Sequence, residues 1–114
     1  MMLAAFAMLL AQPVATPVPP PGLQFGFFRM AAFRHRAKEL RCNSGALDAQ
    51  FEALRKRLAK RYGKQAFALP KIPSSGPGDC RAAEVVYRVN LDDFRREVEA
   101  ALASSPPARG REGQ

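Results

Sequence analysis

The first 28 residues carry no charged side chain, whereas all 18 Lys and Arg and all 10 Asp and Glu lie from Arg29 onward. A solvated, folded surface can therefore be built only from the later residues, and the chain divides before any periodicity is considered. Residues 1–11 are an unbroken apolar run followed by Gln12 and Pro13. As a helix the run would span about 16 Å, roughly half the hydrocarbon core of a bilayer. Such a length suits the hydrophobic region of a secretory signal better than a membrane span. Residues 1–15 are accordingly expected to be a signal peptide, cut after Ala11 or Ala15. Against this, only the terminal amine supplies positive charge, and Leu9 or Pro13 would occupy a position where the peptidase favours a small residue. The alternative is a short disordered or docking N-terminus on a cytosolic protein. No Cys follows the apolar run, so no lipoprotein acylation site is expected, and the mature protein is expected to have no transmembrane span.

Residues 13–22 hold five of the ten prolines. Proline fixes φ and removes a backbone donor, which favours extended polyproline geometry, and residues 16–22 are expected to form a linker. Residues 23–103 are expected to be the folded domain and 104–114 a disordered polar tail.

Three apolar stripes follow at helical spacing. Leu23, Phe27, Met30, Phe33, Ala37 and Leu40 form the first, with Phe28 and His35 on the opposite side and Gly26 weakening the start. Leu47, Phe51, Leu54, Leu58 and Tyr62 form the second. There Asp48 and Glu52 stand early, Lys60 and Arg61 late, and Gly63 just beyond, each suited to its end of the helix dipole or to a cap. Cys80, Ala83, Tyr87, Leu91, Phe94, Val98 and Leu102 form the third. The β-prone stretch Val85, Val86, Tyr87, Arg88, Val89 offers a rival, a strand over 84–89 followed by a helix. A continuous helix is the preferred reading, because the only strand partner would be residues 65–69. Between the second and third stripes, residues 64–79 contain three prolines and two glycines, an ordered loop in which Phe67, Leu69 and Ile72 are expected to tuck against the core.

The expected fold is all-α, a small three-helix bundle with one disulfide between Cys42 and Cys80. The first cysteine ends the first helix and the second begins the third. In an oxidising compartment two cysteines in a thin-cored domain usually pair, and closing the loop between them would stabilise the fold by about 4 kcal/mol on the chain-entropy model. Pairing would also set the path: the second helix runs back along the first, and the third runs parallel to the second. The alternative is two free buried thiols. The spacing is not that of a redox-active Cys-x-x-Cys pair.

The net charge of +8 is unevenly placed. Residues 29–64 hold 11 bases and 3 acids, while residues 71–103 hold 5 bases and 6 acids. On the second helix Lys56, Arg57, Lys60 and Lys64 lie opposite the apolar stripe, a face suited to anionic envelope surface or to an acidic protein. Against that reading, Ala, Arg, Pro and Gly make up 51 of the 114 residues, a compositional bias that loads solvated faces with Arg whether or not a partner exists. No helix-turn-helix spacing and no aromatics interleaved on the basic face favour nucleic acid. His35 stands alone between Arg34 and Arg36, so no metal set is expected. Asp92 and Asp93 do not converge, Glu97 and Glu99 are expected to pair with Arg95, Arg96 or solvent, and Ser44, Ser74 and Ser75 lack a neighbouring base. No catalytic residue, cofactor or metal is expected. The reading is a small, basic, noncatalytic helical protein, periplasmic or secreted, that binds or acts as a structural accessory; its rival is a cytosolic protein that binds nucleic acid or another protein.

Overall fold

The computed structural model describes residues 17–104. The expected signal peptide at 1–15 and the tail beyond Ser104 lie outside the described residues.

Three helices and one short turn make up the fold: α1 (Pro21–Glu39), α2 (Gly45–Tyr62), a 3-10 turn (Gln65–Phe67) and α3 (Cys80–Ser104). Helix α1 begins at Pro21, so its first turn takes in the last two residues of the expected linker. Proline is well placed there, because the first helical N–H has no intrahelical acceptor to lose and φ is already helical. Gly26, the residue that weakens this helix on propensity, stands where α1 crosses α3: a Cβ there would lie 3.0 Å from Glu97 Oε1 and 3.2 Å from Phe94 Cδ1. At its other end α1 closes with a Schellman-type cap. The Cys42 N–H donates to the Ala37 carbonyl at 2.9 Å and the Arg41 N–H to Lys38 at 3.0 Å, with Arg41 at φ 58°.

Helix α2 ends as its sequence implies. Gly63 takes a φ of 98°, and its N–H donates to the Ala59 carbonyl at 2.8 Å. Helix α3 is continuous through Val85, Val86 and Val89, and no strand forms among the described residues. The β-prone stretch stays helical because Tyr87, Leu91, Phe94 and Val98, at helical spacing, are all buried. Burying that stripe outweighs the few tenths of a kcal/mol per residue that separate valine from a good helix former. Asp79 starts the helix, its carboxylate accepting from the Ala82 N–H at 3.1 Å.

The core joins all three helices and the turn. Phe27 lies at the centre, its ring 5.5 Å from Phe51 and 5.2 Å from Phe67, the latter edge-on. Phe51 in turn lies 6.5 Å from Phe94, and Tyr62 5.8 Å from Phe67. Phe67 is fully buried and Ile72 partly so, whereas Leu69 remains 40% exposed. Phe28, one residue beyond the core ring of α1, points outward as its place off the stripe requires.

Contacts between the elements give the directions of the chain. Arg34 of α1 reaches Asp48 at the start of α2, and Gln24 near the start of α1 donates to the Ala66 carbonyl beyond its end, so these helices are antiparallel. Tyr87 bonds Asp48 while Arg61 donates to the Leu102 carbonyl, so α3 runs parallel to α2. Cys42 and Cys80 sit at disulfide distance, with Cα atoms 5.4 Å apart. Residues 68–79 therefore carry the chain back along α1 to the first cysteine, as the placement of the two cysteines requires.

Candidate functional site

Three clusters of polar groups stand outside the apolar core. The first ties the return loop to α1. Arg36 donates to the carbonyls of Gly76 and Pro77, the second at 2.8 Å, and Glu39 accepts from the Ser74 hydroxyl and from the Ser75 N–H at 3.3 Å. His35 Nε2 lies 3.6 Å from the same carboxylate. The Ser74 hydroxyl, with smaller contributions from Ser75, His35 and Arg36, holds the Glu39 carboxyl below its ordinary range. The Ser74 hydroxyl and the Ser75 backbone N–H thus both serve as donors to this carboxylate.

The second cluster is half-buried and joins all three helices. The Tyr87 hydroxyl donates to Asp48 Oδ1 at 2.7 Å, the Ser44 hydroxyl approaches Asp48 Oδ2 at 3.3 Å, and Arg34 Nε stands 3.9 Å from Oδ1. Burial raises the Tyr87 phenol well above its ordinary value, and the adjacent Asp48 carboxylate raises it further. A phenol held neutral and donating to a carboxylate is suited to fixing helix register, since both partners lose their alternatives in water.

The third cluster is the outer face of α2. Lys56, Arg57, Lys60 and Lys64 are all exposed, and none forms an ion pair among the described residues. Helical spacing places Lys56 and Lys60 opposite Leu47, Phe51, Leu54 and Leu58, which are buried, and Arg57 on the flank; Lys64, expected on the helix, lies beyond its end at Tyr62. Their neighbour Arg55 is spent internally: its Nε lies 3.3 Å from both Glu52 oxygens and its Nη1 donates to the Phe67 carbonyl at 3.2 Å. That bond fastens the 3-10 turn to α2. Between them runs an open groove of about 440 Å³, floored by Ala59, Ala68 and Leu69 and rimmed by Lys56 and Lys64.

Sequence reasoning located the four bases and the cysteine pair, and missed the groove. Its floor depends on Leu69, which was expected in the core together with Phe67; Phe67 is buried there, but the extended backbone at Ala68 carries Leu69 outward. On α3, Glu97 and Glu99 are exposed, within the expectation that they meet Arg95, Arg96 or solvent. Arg95 and Arg96 bond Asp92 and Asp93, at 2.6 and 2.7 Å, because residues three apart share a helix face, which leaves Glu97 against Gly26. No group of three His, Cys, Asp or Glu is placed to hold a metal ion among the described residues, and none of the described helices is long and apolar enough to cross a membrane. No protein-family model matches the chain, and no curated protein and no solved structure matches it.

Proposed function

We propose that this chain is a noncatalytic binding domain of an oxidising, exported compartment, periplasmic or extracellular, and that it docks on an anionic envelope surface through the outer face of α2. What carries the reading is a set of four exposed bases that no carboxylate among the described residues neutralises: Lys56, Arg57 and Lys60 on α2, and Lys64 just beyond its end. A Lys or Arg close to an anionic lipid surface contributes about 1 kcal/mol, so four together are worth on the order of 4 kcal/mol at low salt. That is about a thousandfold in affinity, and it weakens as salt shortens the screening length. The cysteine pair at disulfide distance is compatible with an exported location, because thiols so placed persist as a disulfide where no reducing pool acts on them.

Charge reversal tests the surface. The combined Lys56→Glu, Arg57→Glu, Lys60→Glu and Lys64→Glu protein is expected to lose binding to vesicles containing phosphatidylglycerol at low salt, while Arg81→Glu with Arg88→Glu on α3 leaves most of it. Unchanged binding by the α2 variant would refute the reading. Compartment is tested by intact mass from fractionated cells, alkylated with and without prior reduction. Free thiols on a full-length chain in the cytosolic fraction would favour the cytosolic reading.

A further inference from the structure

The groove beside the basic face combines two chemistries that an electrostatic surface alone does not need. Its floor of Ala59, Ala68 and Leu69 is apolar, and Leu69 is 40% exposed in a fold that buries Phe67 two residues earlier. Its rim carries the ammonium groups of Lys56 and Lys64, neither of which has a partner among the described residues. Glu52, the acid on the same wall, is already held by Arg55, so it does not cancel the rim. The Arg55 bond to the Phe67 carbonyl and the burial of the Phe67 ring hold the two walls together before anything binds. Preorganisation of that kind lowers the ordering cost of binding.

Cations above an apolar strip complement an anionic amphiphile. No aromatic ring lines the groove to stack a base, and an acidic polymer with a hydrated backbone would leave Leu69 unused. Resting on the reading of α2 as an anionic docking face, we propose that this groove admits the upper acyl chain of an anionic phospholipid, with Lys56 and Lys64 at the level of its phosphate and Leu69 below the headgroups. Long-stemmed lysines suit this placement, since the stem lies along apolar surface while the ammonium stays with the phosphates.

The chain contains no Trp, so Leu69→Trp introduces a single fluorophore at the groove. On vesicles of phosphatidylglycerol in phosphatidylcholine its emission is expected to shift to shorter wavelength and to be quenched by lipids brominated near the top of the acyl chain. Pure phosphatidylcholine vesicles, inorganic phosphate and soluble polyphosphate are expected to leave it unshifted. Adding Lys56→Glu and Lys64→Glu should abolish the shift. Val85→Trp, at an exposed site on α3, should show none. In the otherwise unaltered chain Leu69→Asp is expected to weaken vesicle binding roughly tenfold, with its helical circular dichroism intact. Vesicle binding by sedimentation without any shift at position 69 would overturn the groove and leave the electrostatic reading of α2 standing. An equal shift with phosphate or polyphosphate would overturn the lipid assignment, and an equal shift from Val85→Trp would overturn the site. Absence of vesicle binding altogether would remove the α2 reading and the groove with it.

Discussion

Replacing both cysteines, Cys42→Ser with Cys80→Ser, removes the one covalent tie between the start of α3 and the end of α1. The two are 38 residues apart in sequence, and on the chain-entropy model opening a loop of that size releases about 4 kcal/mol of constraint on the unfolded chain. Domains of this size have only about 5–15 kcal/mol of total stability, so the loss is a large share of it. Noncovalent contacts at the junction do not replace the tie. Arg36 and Glu39 hold the return loop and Asp79 caps α3, but all three contacts exist in both proteins and cancel in the comparison. The variant is expected to remain helical, because Phe27, Phe51, Phe67 and Phe94 pack the core independently of the cysteines. Urea unfolding followed by circular dichroism should show an unfolding free energy in water lower by about 4 kcal/mol, with a steeper slope because the unlinked chain exposes more surface. In a thermal scan the same loss corresponds to a decrease of roughly 20 °C. A difference under about 1 kcal/mol, or an unchanged slope, would refute the assignment of the tie to the unfolded ensemble.

Phe27→Ala empties the centre of the core and is expected to cost about 3–5 kcal/mol, whereas Phe28→Ala, on a 45% exposed ring, should cost less than about 1; equal costs in urea unfolding would contradict the register of α1. Glu39 has a folded pKa below its usual 4.5, so its hold on the return loop is fully present above that value and is lost as pH falls through the lower, folded pKa. The protection of the Ser75 amide, taken relative to its intrinsic exchange rate at each pH, should therefore fall on acidification, and Glu39→Gln should remove that dependence. The Tyr87 phenol is raised above 10, so its contribution is fully present below pH 10 and is lost as pH rises further. Tyr87→Phe should flatten the alkaline limb of the stability curve and cost about 1–3 kcal/mol at neutral pH, read by urea unfolding. Arg41 holds a left-handed backbone at φ 58° that glycine adopts without Cβ strain, and Arg41→Gly is expected to stabilise the fold by up to about 1 kcal/mol in the same assay.

Helix-scale information was legible in the residues themselves. The second stripe, its end signals and Gly63 define α2 almost to the residue, since periodicity, charge at the termini and the cap are all local to one helix. The two cysteines, placed at the end of one stripe and the start of another, imply the order and direction of the helices. The bases of α2 were legible as an unburied face for the same reason: a helix that buries one side presents the other.

Long-range partners were not legible. Gly26 reads as a weak helix residue until α3 lies against it. Asp48 suits a helix N-terminus by charge alone, yet its strongest partner is the phenol of Tyr87, 39 residues away. Leu69 and Phe67 have the same hydropathic claim on the core, yet Phe67 packs against Phe27 and Tyr62 while Leu69 stays 40% exposed. The amino-acid sequence by itself determined which segments are helices, which of their faces are apolar and where a cross-link must fall, because those follow from spacing along one chain direction. Tertiary structure alone decided which polar groups meet and which apolar residue is left outside to floor a groove, because those outcomes depend on volume and reach between elements that periodicity does not encode.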